Sequence, residues 1–234
     1  MGATFVVLNQ RSNMMKTKQT IAIIGATGSM GTAIAKCLAQ ASYRLLLMGS
    51  DENKLQNLQD NIKQLNAAAD ADWLLCPIDA SWEADIIILA VPYIAEKELA
   101  PKIAAVATGK IVISISNPIT ADFTGSLLPD HTSAGEELQQ LLPHSKIIKT
   151  FNTTFAANFG QPVFAGNTAD CFLAGNSDEA LQQTAVLVEA VGFKPIITGD
   201  IKKSRTLENM QILLMQLGIK NHYNWRAGWK ILHD

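Results

Sequence analysis

The sequence predicts an α/β protein built on a doubly wound parallel sheet, and three observations carry that prediction. A short apolar strand, TIAII at residues 20–24, runs directly into Gly25, Gly28 and Gly31. Apolar strands then alternate with amphipathic helices along the chain, which is the pattern of βαβ units. One strand, residues 85–91, is almost entirely apolar, as expected where helices cover both faces of a sheet.

The three glycines indicate that the first strand–turn–helix unit binds a phosphate group. Gly25 permits a tight turn, and Gly28 lets the backbone approach a pyrophosphate because it has no Cβ. Gly31 lets the following helix, predicted at residues 32–40, pack close to the strand. The start of that helix offers free N–H groups and the positive end of a dipole to phosphates. The GxxGxxG spacing in this context predicts a dinucleotide site, whereas the same glycines out of context would be a structural turn.

The spacing of apolar residues predicts the remaining elements. Before residue 118 these are a strand at 43–48, a helix at 51–65, a strand at 73–76, a helix at 94–106 and a strand at 111–115. After it they are a helix at 133–142, strands at 146–150 and 171–174, a helix at 178–191, a strand at 195–198 and a helix at 206–217. Strands and helices in this alternation favour a parallel sheet.

Composition narrows the function classes. The 234 residues, 48% of them hydrophobic, suffice for one large α/β domain with a small addition. A net charge of −2 without a basic run argues against a nucleic-acid partner or an anionic membrane surface. Three widely spaced cysteines and four scattered histidines match no metal site, so we expect none. Sparse cysteines are typical of reduced thiols, which favours a cytoplasmic location.

The chain divides into three predicted parts. Residues 1–18 are expected to be a disordered tail or an over-extended start, because their apolar run at 5–8 is too short for a signal peptide. Residues 19–144 are predicted to be an NAD(P)-binding domain. Residues 145–234 are predicted to be a small C-terminal α/β subdomain.

Five pieces of sequence occur in an informative order: IAIIGATGSMG, MGS after the second strand, ADIIILAVPY, IVISISNP and KIIKTFNTTFA. With these pieces the chain resembles the NADP-dependent deazaflavin (coenzyme F420) oxidoreductase family. The resemblance extends over residues 20–232. It implies a Rossmann domain with a small C-terminal subdomain. It also implies hydride transfer between a nicotinamide cofactor and a small-molecule acceptor, a flavin or a deazaflavin.

The resemblance further implies a set of contacts that follows the dinucleotide from end to end. The pyrophosphate loop comprises Thr27, Gly28, Ser29 and Met30. The adenosine ribose or its phosphate meets Ser50. The edge of the cofactor cleft is formed by Val91, Pro92 and Tyr93. The nicotinamide end meets Asn117 and Pro118, and the wall across from the ring consists of Phe151 and Asn152.

One position departs from the family's pattern. The family places arginine after Gly-Ser, where it pairs with the 2′-phosphate of NADP, and this chain has Asp51 there. An acidic residue in this region is what NAD enzymes use for the ribose 2′-hydroxyl. Asp51 is equally a good N-cap for the next helix, and Lys54 one turn on would supply a cation. NADP is favoured on family grounds, with NAD as the alternative.

Two other functions stay open. Tyr93 and Lys97 have the Tyr-x-x-x-Lys spacing of short-chain reductases, but they come directly after the fourth strand, earlier than those enzymes place the pair. No catalytic acid or base stands out, so a dinucleotide sensor without turnover is the second alternative. Hydride transfer itself needs chiefly orientation and exclusion of water. Trp225 and Trp229 are predicted to pack on the domain or on a homodimer partner.

Overall fold

An eight-stranded sheet forms the centre of the computed structural model, which describes residues 18–234. Its strands are β1 (Gln19–Ile24), β2 (Tyr43–Met48), β3 (Asp70–Leu74), β4 (Ile86–Leu89), β5 (Ile111–Ser114), β6 (Lys146–Lys149), β9 (Asp170–Gly175) and β10 (Lys194–Gly199). Two short strands, β7 (Val163–Phe164) and β8 (Asn167–Thr168), form a separate hairpin. Of the expected N-terminal tail, residues 1–17 lie outside the described range.

The strand order confirms the predicted doubly wound fold. Across the sheet the strands follow the order β10-β9-β6-β5-β4-β1-β2-β3. β1 to β6 all run parallel, whereas β9 and β10 are parallel to each other and antiparallel to β6. The order 3-2-1-4-5-6 of the first six strands is that of a Rossmann fold, in which ligands bind at the carboxyl ends where the order reverses. Here that point lies between β1 and β4.

Seven α-helices cover the two faces of the sheet in the described part of the chain. One face carries α1 (Ser29–Leu38), α2 (Glu52–Leu65) and α6 (Asp178–Ala190). The other carries α3 (Pro77–Glu83), α4 (Tyr93–Ile103), α5 (Ala134–Leu141) and α7 (Ser204–Lys220). Neighbouring residues of β1 illustrate the reason: Ile21 and Ile23 belong to the first core, and Ala22 and Ile24 to the second. Because side chains alternate along a strand, apolar strands without alternation feed both cores.

Three of the differences between the structure and the predicted elements concern α1, β3 and α3. α1 begins at Ser29, earlier than predicted, because the Thr32 N–H already donates to Gly28 O at 2.8 Å. β3 lies at Asp70–Leu74 rather than at 73–76. α3 was not predicted, since its seven residues are too few to show a helical period.

The C-terminal part continues the same sheet. β6, β9 and β10 extend the sheet beyond β5, and the division at residue 145 stays a prediction. Within residues 18–234 no helix is both long and apolar enough to cross a membrane.

Candidate functional site

The loop after β1 turns sharply over the carboxyl end of the sheet. The N–H groups of Gly25 and Ala26 both donate to the Met48 carbonyl at 2.9 Å, which ties the loop to β2. The Gly28 N–H closes the turn onto Gly25 O at 3.1 Å. α1 starts at the next residue, so the N–H groups of its first turn have no partner within the helix.

The three glycines meet different requirements. A Cβ on Gly25 would lie 2.3 Å from the carbonyl oxygen of Ala90, and one on Gly31 would lie 2.2 Å from Gly25 O. A Cβ on Gly28 would meet nothing nearer than 3.4 Å, and the Gly28 φ of −74° suits any residue. The fold therefore requires glycine at 25 and 31, but not at 28. The missing side chain at Gly28 leaves room for a ligand to approach the exposed loop.

On one side of this loop lies a cleft of about 280 Å³, here called the β2 cleft. Four residues of the predicted cofactor site line it: Gly25, Thr27, Ser50 and Val91. The opposite wall is one face of α4, with Ala95, Glu98, Leu99 and Lys102. The residues from α4 were not predicted from the sequence, because their spacing does not distinguish a cleft wall from a solvated helix face.

The start of α2 shows what Asp51 does. Asp51 Oδ1 accepts the Lys54 N–H at 3.1 Å, so Asp51 caps the helix, and its Oδ2 lies 3.6 Å from Lys54 Nζ. Ser50 lines the β2 cleft, whereas Asp51 and Lys54 do not. The preceding Gly49 is buried, and a Cβ there would lie 3.3 Å from both Thr27 and Leu55. An acidic side chain at the end of β2, where NAD enzymes place one, would therefore crowd Thr27 and Leu55.

On the other side of the loop lies a larger cavity of about 530 Å³, here called the β5–β6 cavity. Ser29 and Met30 reach it from α1, and Asn117, Phe151 and Asn152 reach it from the loops after β5 and β6. Its other walls come mainly from later in the chain: Thr154, Phe155, Ala156, Gln211, Met215 and Trp225. The volume suits a small-molecule site. Within residues 18–234, the side chains that line it include no titratable group.

Two asparagines connect the loops after β5 and β6. Asn117 Nδ2 donates to the Asn152 main-chain carbonyl at 3.0 Å, and Asn152 Nδ2 donates to Asn117 Oδ1 at 2.9 Å. Because a main-chain carbonyl only accepts, the orientation of both amides is fixed. Asn152 Oδ1 is then left buried without a partner among the described residues. Phe151, beside it, has a φ of 59°, a strained conformation of the kind found at functional sites.

A buried ionic network lies behind these loops. The Lys149 side chain is fully buried at the end of β6, and its Nζ donates to Glu208 Oε1 at 2.8 Å, to Ser114 Oγ at 3.3 Å and to the Ser116 carbonyl. Each of the three N–H groups of the Lys149 ammonium therefore has an acceptor. The Glu208 carboxylate also accepts two N–H groups from the start of α5, at 3.1 and 3.2 Å. The network joins α5 and α7 to the ends of β5 and β6, the strands whose following loops line the β5–β6 cavity.

A second carboxyl group joins this network from α4. Glu96 is 1% exposed and accepts the Ser114 hydroxyl at 2.9 Å. Burial raises the pKa of Glu96 from 4.5 to about 7, against the opposing effects of Lys149 and Ser114. With one ammonium and two carboxyl groups, the cluster is neutral only while Glu96 is protonated.

Comparison with known proteins agrees with this geometry. The family described as NADP oxidoreductase, coenzyme F420-dependent, matches residues 20–118. An F420-dependent NADP reductase of Methanocaldococcus jannaschii is 30% identical over 212 residues, which cover 86% of this chain and 92% of that protein. The chain belongs to the F420-dependent NADP oxidoreductase family. The resemblance seen in the sequence and the assignment as an oxidoreductase are thereby confirmed.

Two further proteins extend the comparison. An F420-dependent NADP reductase of Methanothermobacter marburgensis is 27% identical over 225 residues, covering 90% of this chain and 97% of that protein. A solved structure from Arthrobacter sp. FB24, provisionally named an F420-dependent NADP reductase, matches with a TM-score of 0.78 at 23% identity. It covers 91% of this chain and 99% of that one, and at this identity it supports the fold alone.

Tyr93 of this family member lies away from both openings. Its hydroxyl donates to Glu137 Oε2 at 2.6 Å and receives a hydrogen bond from Lys97 Nζ at 3.2 Å, and its side chain is 6% exposed. Burial, and then the bond to Glu137, raises the pKa of Tyr93. A tyrosine that acts as acid or base needs the opposite shift, so the Tyr-x-x-x-Lys spacing forms a contact between α4 and α5.

The predicted site residues therefore fall into four groups. The β2 cleft gathers Gly25, Thr27, Ser50 and Val91, and the β5–β6 cavity gathers Ser29, Met30, Asn117, Phe151 and Asn152. Between the two openings, Gly28 ends the loop, and Gly31 lies in the first turn of α1. The openings are not lined by Asp51, Lys54, Pro92, Tyr93 and Pro118. Trp229 packs on the domain beside Phe172, as predicted, but Trp225 lines the cavity.

A third opening, of about 460 Å³, lies at the amino ends of the strands, between Lys18, Asp85 and Lys110. The lysines there are engaged within the protein: Lys110 Nζ donates to the carbonyls of Ser81 and Trp82 at 2.7 and 2.6 Å. In a doubly wound sheet the ligand site is at the opposite edge. We therefore take the two openings around the glycine loop as the candidate site.

Proposed function

We propose that this protein transfers a hydride between NADP and a deazaflavin of the coenzyme F420 type. The observation that carries the proposal is the position of Gly28, between two openings and free of any internal need for glycine. A dinucleotide that crosses the loop there would place one end in each opening. The relatives named F420-dependent NADP reductase support both the cofactor and the acceptor.

The chain offers suitable groups along such a path. The free N–H groups of the first turn of α1 and the loop Thr27–Met30 would bind the pyrophosphate, as helix N-termini do. Ser50 in the β2 cleft would meet the adenosine ribose or its 2′-phosphate. Asn152 Oδ1, a buried acceptor without a partner among the described residues, suits the carboxamide NH₂ of nicotinamide.

The reaction needs little acid–base chemistry from the protein. Bound NADPH supplies a hydride, two electrons with one proton, and the deazaflavin takes up a second proton from solvent. The side chains of the β5–β6 cavity would exclude water and hold the two rings in contact. The lack of a titratable lining group among the described residues fits this task.

Preference for NADP over NAD rests on three positions. At the end of β2 this chain has the buried Gly49 in place of an acid, and a side chain there would crowd Thr27 and Leu55, which favours NADP. Asp51 would disfavour a 2′-phosphate, but its carboxylate is shared with the helix cap and with Lys54. Lys102, across the β2 cleft, adds a cation to the same opening, where Glu98 adds a carboxylate. We therefore propose NADP as the physiological cofactor.

The partners proposed are small molecules, with a homodimer as the assembly. The exposed aromatic residues near the C-terminus, Tyr223 and Trp225, offer a surface for a second copy. Cys37, Cys76 and Cys171 are free thiols, which supports a reducing, cytoplasmic location.

Anaerobic mixing of the protein with NADPH and coenzyme F420 tests the proposal. We expect equimolar loss of NADPH and oxidised F420 absorbance over many turnovers, in either direction according to the starting redox state. Calorimetry should give a Kd for NADPH far below 1 mM, the affinity that corresponds to only about 4 kcal/mol. Tight binding without turnover on F420, flavins or quinones would instead support a sensor. Absence of binding would refute the proposal.

A further inference from the structure

Gln211 is a polar residue that the sequence analysis did not predict to be part of the site. It lies in the middle of α7, is only 4% exposed, and contributes to the wall of the β5–β6 cavity. Its neighbours along that wall, Met215 and Trp225, are apolar or aromatic. Its Oε1 is buried and has no hydrogen-bond partner among residues 18–234. A buried amide left in this state is costly, so a partner from outside the protein is expected.

The position of Gln211 is fixed by the network behind it. Glu208, one helical turn earlier on the same face of α7, binds Lys149 and the start of α5. Because residues three apart share a helix face, this anchor sets where Gln211 enters the cavity. The side chain is thus held at the cavity by a rigid element rather than by a loop.

The β5–β6 cavity is lined by helices from both faces of the sheet. Ser29 and Met30 come from α1 on the first face, together with the phosphate-binding end of the dinucleotide path. Gln211 and Met215 come from α7 on the second face. A nicotinamide tethered at α1 would occupy the side near Asn152. The ring that receives the hydride would then lie between the nicotinamide and α7.

We propose that the side-chain amide of Gln211 recognises the imide edge of the acceptor's pyrimidinedione ring. A primary amide presents a carbonyl oxygen and an N–H side by side, and an imide presents the complementary N–H and carbonyl. The pairing works for either assignment of the amide nitrogen and oxygen. Gln211 would thereby select flavin-type and deazaflavin-type acceptors, and the inference rests on the proposed function.

The test combines a protein variant with a modified acceptor. The variants are Gln211→Met, which keeps length but no hydrogen bond, and Gln183→Met, an exposed glutamine of α6, as a matched control. The acceptors are 8-hydroxy-5-deazariboflavin and its N3-methyl derivative, which lacks the imide N–H. We expect N3-methylation to lower kcat/KM at least tenfold in the wild type and in Gln183→Met. In Gln211→Met the unmethylated acceptor should itself lose at least tenfold, and methylation should then change kcat/KM less than threefold.

Three outcomes would overturn the inference. In the first, N3-methylation of the acceptor lowers kcat/KM as much in Gln211→Met as in the wild type. In the second, it lowers kcat/KM in neither protein. In the third, the Kd of NADPH rises in Gln211→Met by the same factor as kcat/KM falls, which would mean that the Gln211 amide binds the cofactor instead. If the wild type turns over neither this acceptor nor coenzyme F420, the proposed function fails, independently of Gln211.

Discussion

Asn117 and Asn152 hold each other across the ends of β5 and β6 through two hydrogen bonds of 3.0 and 2.9 Å. This pair closes the gap between two loops at the point where the proposed nicotinamide would lie. It also fixes which end of the Asn152 amide is left without a partner. In the proposed complex the pair would therefore position the nicotinamide as well as join the two loops.

Replacing Asn117 with alanine should weaken binding of the nicotinamide end only. The Asn152 amide loses its partner and its fixed orientation, which costs about 1–3 kcal/mol and corresponds to roughly five- to 150-fold in the Kd of NADPH. Adenosine 2′,5′-bisphosphate, which has no nicotinamide, should bind as in the wild type. Asn57→Ala on the exposed face of α2 is the control. Equal weakening of both ligands would mean a general loss of structure.

Gly28→Ala and Gly25→Ala form a matched pair of substitutions. At Gly28 a Cβ fits the protein, so the variant should keep its Tm within a few degrees while NADPH affinity falls at least tenfold. At Gly25 the φ of 87° and the contact with Ala90 O should cost more than about 2 kcal/mol of stability. Urea unfolding of both variants measures the change in stability, and NADPH titration measures the change in affinity. Normal NADPH binding by Gly28→Ala would contradict the pyrophosphate site.

Asp51→Asn isolates the charge of Asp51 from its capping role. Asparagine caps a helix as well as aspartate does, so stability should be unchanged. Removing a carboxylate near the 2′ position should strengthen NADPH binding about fivefold, the size expected for two exposed charges a few ångströms apart. NADH binding should not change. A change of less than twofold in the ratio of the two Kd values would show that the carboxylate does not face the ribose.

The sequence predicted the fold well because the apolar strands and the glycine loop are local patterns. Strands such as β2, predicted and found at residues 43–48, are bounded by turn residues and need no tertiary context. β3 and α3 were misplaced or missed because β3 is an edge strand with acidic residues, and α3 is only seven residues long. Their structure depends on packing against the sheet.

The site was predictable only where it uses sequence-local motifs. Thr27, Ser29 and Asn117 follow strand ends and could be placed from the motif order. Gln211 and the Lys149–Glu208 pair could not, because their role depends on α7 crossing to the end of β6, far away in sequence. Tyr93 shows the converse: a recognisable spacing that the fold uses for a helix–helix contact.

Tyr93→Phe should leave catalysis nearly intact. The hydroxyl is buried against Glu137 and Lys97 and lines neither opening, so kcat for NADPH oxidation should stay within about threefold of the wild type. Loss of the hydrogen bond to Glu137 should reduce stability by about 1 kcal/mol, measured by urea unfolding. A hundredfold loss of kcat at unchanged stability would revive the short-chain reductase alternative.

Glu96→Gln should change how stability depends on pH. Because burial raises the pKa of Glu96 from 4.5 to about 7, the folded state retains a proton that the unfolded state has already lost. The free energy of unfolding should therefore fall in the wild type as pH rises from about 4.5 through about 7, by roughly 3 kcal/mol from this group. Glutamine, which mimics the protonated form, should remove that fall and leave the variant more stable than the wild type above about pH 7. Urea unfolding across this range measures the effect, with Glu189→Gln, at an exposed position of α6, as the control. If the free energy of unfolding varies with pH in the same way for the wild type and Glu96→Gln, ionising the buried Glu96 does not destabilise the fold.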